Sequence, residues 1–375
     1  MARLELTSRE KIGQLFMVGF LGASVTPDLA AFLKDYKPGG VILFSRNLES
    51  VEQIVQLTND LQQCSPKSPL LISIDQEGGR VSRLPKGFTI FPPCEIIGRC
   101  HSGELAYAAA ATIAKELKAV GINMNMAPVL DVNSNPDNPV IGDRAFGTTA
   151  DTVIEMGLVT AAGLQDSKVV ACGKHFPGHG DTNADSHKEL PVVEAPRERL
   201  EAVEFPPFRR AVAAGIATLM TAHVLYKALD DRLPATLSPE IITHLLREQM
   251  HYNGVVLTDD LEMQAIVGHY GPGDAAVRAF VAGCDMLLIC KDRDREIAAF
   301  EAMEKAVASG TIDMARLDQS VVRIQRIKQR YLLPYRSALI SEAKLIAGCR
   351  THQALLHSIH QAKVRMEKTS AVKVV

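Results

Sequence analysis

The chain has 375 residues, 47% hydrophobic and 22% charged, with a formal net charge of −2; it can bury a large core and lacks the basic surplus that nucleic-acid binding requires. Trp is absent and aromatic residues make up 5%, which excludes a sugar platform of stacked indoles and leaves recognition to polar groups. The longest apolar stretches, such as Met286 to Cys290, fall far short of the ~20 residues a membrane helix needs, so neither nucleic acid nor a membrane is an expected partner.

The first residues, Met1 to Lys11, mix acidic and basic side chains where a signal peptide would carry a basic tip and a clean apolar run. Seven cysteines, at 64, 94, 100, 172, 284, 290 and 349, form no CxxC pair, and their odd number cannot close completely into intramolecular disulfides. Both features point to a reducing, cytoplasmic location.

Short apolar runs then recur: Leu15 to Phe20, Val41 to Phe44, Leu70 to Ile74, Ile122 to Pro128, Lys168 to Phe176, Thr218 to Val224, Gly254 to Asp259 and Met286 to Cys290. Helix-like segments lie between most of them, for example Glu104 to Val120 and Leu200 to Ala214 after Pro196. Parallel strands covered on both faces read as unbroken apolar runs, as these largely do. Eight such units predict an α/β chain folded as a (β/α)8 TIM barrel, for which about 250 residues is typical and insertions are common. An open doubly wound sheet is the alternative. Asp75, Asp131, His175, His223, Asp259 and Lys291 each lie at or just beyond the end of a different run, and in a barrel those positions converge on one rim. Residues 1–337 are assigned to this single barrel. Residues 338–375, with Leu345, Cys349, Leu355, Leu356 and Ile359 at helical spacing and a basic end at Lys363, Arg365 and Lys368, are expected to form a C-terminal helical extension packed on it.

Four stretches carry candidate chemistry. From Lys174 to His187 the chain places three histidines, two aspartates and a lysine within fourteen positions. Asp185 precedes His187 by two residues, so an extended backbone would put both on one face and let a carboxylate orient an imidazole. Pro177, Gly178 and Gly180 argue against a helix, and the segment reads as a flexible catalytic loop. Gly254 to Met263 ends a strand in Asp259 and Asp260; side chains alternate there, so one aspartate can face the barrel axis while the other points into the wall. Asp259 is taken as the first, a carboxylate able to act as a nucleophile toward a sugar carbon. The bland alternative is a helix cap at Asp260 and a structural salt bridge at Asp259. Leu71 to Arg83 and Gly142 to Gly147 are glycine-punctuated acidic turns with arginines, suited to binding sugar hydroxyls or simply to solvation.

Other chemistries fit poorly. The HxxxH spacing of His175 and His179 would suit zinc on a helix, but Pro177 and Gly178 spoil that helix and no clear third ligand follows, so no metal is expected. Cys172 lies inside an apolar run, where a thiol is inert. No GxxxxGK[ST] phosphate loop is present.

Taken together, ISIDQEGGRVSRL at 72–84, NMAPVLDV at 125–132, IGDRAFG at 141–147, KHFPGHGDTNADSH at 174–187 and GVVLTDDLEM at 254–263 resemble glycoside hydrolase family 3, and within it the bacterial β-N-acetylhexosaminidases of the NagZ type, over about Ile12 to Leu333. The resemblance implies a retaining exo-enzyme that removes terminal β-linked N-acetylglucosamine through a covalent glycosyl-enzyme, without cofactor or metal. It also implies roles by position: Asp259 as nucleophile, His187 as general acid/base and Asp185 as its partner, with Asp75, Arg83, Arg144, Lys174 and His175 holding the sugar. The expected substrates are small glycans, either muropeptides bearing GlcNAc on anhydroMurNAc, released in cell-wall recycling, or chitooligosaccharides. The enzyme is expected to act as a monomer. A β-glucosidase or β-glycoside phosphorylase on the same barrel is the alternative activity, and a sugar-binding barrel that has lost its chemistry the non-enzymatic one.

Overall fold

A computed structural model describes residues 6–186 and 188–372, with side chains followed to residue 365. Eight strands close into a parallel barrel: β1 (Phe16–Val18), β2 (Gly40–Leu43), β3 (Leu71–Ile74), β4 (Met124–Asn125), β5 (Val170–Phe176), β6 (Thr218–Thr221), β7 (Val255–Asp260) and β8 (Met286–Ile289). Each strand pairs with the next in the chain, and β8 returns to β1 through Phe16↔Leu287 and Val18↔Ile289. This is the closed (β/α)8 architecture expected, and each of the eight apolar runs overlaps one strand, to within a residue at its ends for Gly40–Leu43 and Val255–Asp260. The runs carry almost no alternation because helices cover one face while the packed interior covers the other. Leu71, Ile72, Ser73 and Ile74 are all buried, and the one polar member, Ser73, donates to Val41 O at 3.1 Å.

Helices follow their local signals. Ser102, Thr149 and Asp292 cap Gly103–Ala119, Ala150–Asp166 and Arg293–Ala308 by accepting first-turn amide N–H groups. The expected single helix from Leu200 to Ala214 is instead two, Arg197–Ala202 and Phe205–Ala213. Pro206 and Pro207 have no amide hydrogen to continue a helix but are tolerated in the first turn of a new one.

Beyond residue 338, helices Ile340–Ile346 and Arg350–Val372 lie against Val51–Gln63, Cys94–Arg99 and Gly103–Ala119. Ala343 and Ile359 are fully buried, whereas Leu345, expected on the packed face, is 78% exposed. The break at Ala347 to Cys349, with Gly348 at φ +57°, turns the first helix away from the periodicity of the second. All seven cysteines are free thiols. Among the described residues no helix is long and apolar enough to cross a membrane.

Candidate active site

The carboxyl ends of the strands surround a cavity of about 470 Å³ lined by Asp75, Arg83, Arg144, Lys174, His175, Asp185 and Asp259, together with Glu77, His179 and Asp260. Seven of the eight residues singled out from the sequence are therefore brought together. The eighth, His187, lies outside the described residues.

A chain of charge runs along one wall. Lys174, on β5, is buried and donates to Asp75 Oδ1 at 2.7 Å and to Glu77 Oε1 at 2.7 Å. Arg144 forks onto the same Glu77 through Nε at 2.9 Å and Nη2 at 2.8 Å. Burial pulls the Lys174 ammonium toward neutrality, but Asp75 and Glu77 outweigh it and raise its pKa to about 12. Burial likewise pushes Glu77 up, yet Arg144 and Lys174 hold it well below the usual carboxylate range. Glu77 was not singled out from the sequence. Its signal was available in Glu77-Gly78-Gly79, where φ of +112° and +55° makes a turn suited to glycine and folds a carboxylate back against two cations.

Beside this wall, Asp131 is buried and accepts the N–H of His175 at 3.1 Å, the N–H of His179 at 2.7 Å and His175 Nδ1 at 2.6 Å. That tautomer leaves His175 Nε2 to face the Arg144 guanidinium at 3.4 Å. The register of β5 against β6 slips between Gly173 and Phe176, and both Lys174 and His175 line the cavity.

The loop after β5 is anchored where its composition suggested freedom. Tyr226 OH donates to Gly178 O at 2.6 Å, Asn138 Nδ2 reaches the carbonyls of His179 and Gly180, and His179 is bonded by Thr182 at 2.8 Å and Ser186 at 3.3 Å. The glycines serve close approach: a Cβ on Gly180 would sit 1.6 Å from Val132 O, and Gly178 has φ +131°. Burial pushes the His179 imidazole down to about 4, so it is a neutral structural group. Ser186 O accepts the N–H of Ala265, tying the loop to the segment that follows the two aspartates.

At the end of β7, Asp259 Oδ1 accepts the N–H of Asp260 at 2.8 Å. Burial pushes the Asp259 carboxyl up, but His223, His175 and Lys174 outweigh it and hold it below its ordinary range, so it is ionised at neutral pH. Asp260 does not simply enter the wall. It reaches a second cavity as well as the first, its Oδ1 accepts Glu262 N–H at 3.0 Å, and burial raises its carboxyl to about 7. Two adjacent carboxyl groups are thus driven apart, one kept charged and one titrating near neutral pH, which is the pattern of carboxyl groups given different tasks. An ionised, partly shielded carboxylate beside a wall of fixed donors and acceptors suits attack on a bound sugar.

Comparison with known proteins agrees with this chemistry. Residues 7–344 match the model of the glycosyl hydrolase family 3 N-terminal domain. The chain is 35% identical to a β-hexosaminidase A of Pseudoalteromonas piscicida over 99% of its own length and 69% of that protein. It is 39% identical to a β-hexosaminidase of Methylococcus capsulatus over 78% and 87% respectively. A family 3 β-N-acetylglucosaminidase from Paenibacillus sp. superposes with a TM-score of 0.92 at 45% identity, covering 96% of this chain and 69% of that one. The chain belongs to glycosyl hydrolase family 3 and is a glycoside hydrolase.

Proposed function

We propose that the protein is a retaining exo-β-N-acetylhexosaminidase that releases terminal β-linked N-acetylglucosamine from small glycans. The observation that carries the reading is the convergence, in one cavity, of an Asp259 held ionised with the Asp75, Glu77, Arg144, Lys174 and His175 network and with Asp185. The similarity to β-hexosaminidases supports the acetamido preference.

In the proposed cycle Asp259 attacks the anomeric carbon as the glycosidic bond breaks, forming a glycosyl ester. His187, charged and oriented by Asp185, gives its proton to the departing oxygen. A histidine near its reference pKa of about 6.5 needs no apolar pocket to be an acid at neutral pH, unlike a carboxyl. Now neutral, it takes a proton from water, which attacks the same carbon and returns Asp259 as a free carboxylate. Asp75, Arg83, Arg144, Lys174 and His175 hold the sugar meanwhile, and the paired charges among them keep those donors and acceptors from reorganising. We further propose a cytoplasmic, monomeric enzyme acting on cell-wall fragments or chitooligosaccharides, with residues 1–337 as the barrel and 338–375 as its helical extension.

Asp259→Asn is expected to lower turnover of nitrophenyl β-N-acetylglucosaminide by about 10⁴-fold, and a 2-fluoro glycoside should label Asp259. His187→Ala should spare substrates with excellent leaving groups in the first step while slowing poor ones. Equal losses for both classes, or a label on another residue, would overturn the assignment. A β-glucoside turned over as fast as the β-N-acetylglucosaminide would overturn the substrate.

A further inference from the structure

The segment joining β3 to helix Cys94–Arg99 brings Asp75 and Glu77 into the catalytic cavity. Further along, the same segment meets the C-terminal extension at one buried carboxylate. Glu116, on helix Gly103–Ala119, accepts the N–H of Thr89 at 2.8 Å and the Thr89 hydroxyl at 2.7 Å from that segment. From the extension it accepts the N–H of Gly348 at 2.9 Å and His352 Nδ1 at 2.7 Å. We propose that the extension braces the segment through Glu116 and His352, positioning residues that set where Glu77 stands against Lys174 and Arg144. This rests on the reading of the catalytic cavity given above and gives the extension a part in turnover.

Three observations carry it. The first is that the carboxylate is shared. Glu116, Thr89 and His352 are buried, and a buried carboxylate is costly unless its oxygens are satisfied. Two of its donors come from each side, so losing the extension's share leaves the anion that holds Thr89 short of partners. The second is close approach. Gly348, between the two extension helices, stands at φ +57°, and a Cβ there would lie 2.4 Å from Gly87 O, two residues before Thr89. Gln353 Nε2 adds a bond to Thr89 Oγ1 at 3.2 Å. The third is the short way from there to the cavity. Two residues after Thr89, Phe91 O accepts the N–H of Gly79 at 2.8 Å, and a Cβ on Gly78 would lie 2.5 Å from Pro92 O. Cys94 Sγ lies 3.8 Å from Glu77 O. The turn that presents Glu77 to Lys174 and Arg144 is therefore seated on the stretch that Thr89 anchors, and groups acting on a bound substrate lose rate steeply when displaced.

The test measures kcat/KM of the full chain on nitrophenyl β-N-acetylglucosaminide well below the Tm of each variant, with Tm recorded alongside. His352→Ala removes a donor that does not line the cavity and should lower kcat/KM about tenfold in folded protein. His352→Asn, whose side-chain amide N–H can stand where Nδ1 stands, should return to within about twofold of native. Gln353→Ala, at an exposed position, should cost about threefold and decides the question if His352→Ala does not fold. In a Glu77→Gln background His352→Ala should cost no more than about twofold further, because the group it positions has already gone. Native kcat/KM at a lowered Tm in the alanine variants overturns the brace. So does an equal loss in His352→Asn and His352→Ala, or a tenfold loss that persists beside Glu77→Gln. Failure of the native protein on this substrate instead overturns the reading of the catalytic cavity.

Discussion

The two ends of the barrel each carry a buried ionic network, built from similar parts and doing different work. At the amino end of β8, Asp285 accepts Arg247, Arg323 at 3.0 Å, Ser320 at 2.6 Å and the N–H of Val256 at 3.0 Å, with Arg316 at 3.5 Å. Other guanidinium donors reach the backbone carbonyls of Tyr252, Gly254, Gly283 and Cys284, the Asn253 side-chain oxygen and the Ser320 hydroxyl. The network pins helices Glu240–Gln249 and Met314–Leu332 to the barrel floor. At the carboxyl end Glu77 and Asp75 receive Arg144 and Lys174 in the same manner, but that network lines a cavity and keeps capacity facing it. A satisfied network stabilises and orients, whereas one bordering a cavity is also available to a ligand.

That contrast can be broken or sharpened by substitution. Asp285→Asn should have the largest effect, costing about 3–5 kcal/mol of unfolding free energy because it leaves three half-buried guanidiniums without the buried anion they share. Below its lowered Tm the folded enzyme should retain native kcat/KM within about twofold. A large loss of activity at full stability would show that the floor network serves the site after all. Glu77→Gln should do the converse, lowering kcat/KM by about 10²-fold, or ~2.7 kcal/mol of transition-state stabilisation. Its stability loss should be smaller, about 1–2 kcal/mol, because water from the cavity can solvate Lys174 and Arg144. Calorimetry and steady-state kinetics on the two variants decide this together.

The smallest effect is one of pH, and its sign differs between the two ends. Burial pushes Asp285 up, but Arg247, Arg323 and Arg316 outweigh it and hold the carboxyl below its ordinary range. Its stabilisation is therefore complete above the unfolded value of ~3.9 and is lost as pH falls through the folded value. Asp260 behaves in the opposite sense. Raised by burial to about 7, it holds its proton longer in the folded protein, so stability declines as pH rises from ~3.9 to about 7. The Tm of Asp260→Asn relative to native protein should climb across that window and level off above it. A difference that stays flat from pH 4 to 7 would mean that Asp260 titrates as an ordinary carboxyl.

Much of this was legible before any coordinates. Apolar runs such as Leu70 to Ile74 marked strands, and polar residues at the ends of six of the eight runs marked the rim. The bonds that give those residues their properties were not legible. Asp131 was noted as a strand-end acid, yet nothing nearby in the chain indicates that it fixes the tautomer of His175, 44 residues on. Glu77 passed as one more loop charge until Arg144 and Lys174 arrived beside it. Leu345 fitted a helical stripe and still faces solvent, because Gly348 redirects the chain between the two helices.

By itself, then, the sequence determined the period of the apolar pattern, the caps and breaks of the helices, and which residue types stand at the strand ends, since each depends on neighbours a few positions away. Tertiary structure alone decided which charges meet, as for Lys174 and Asp75 at a separation of 99 residues, which of two adjacent aspartates stays ionised, and that a second cavity opens beside the first. Those properties follow from burial and from distances through space, and both come into being only when the barrel closes.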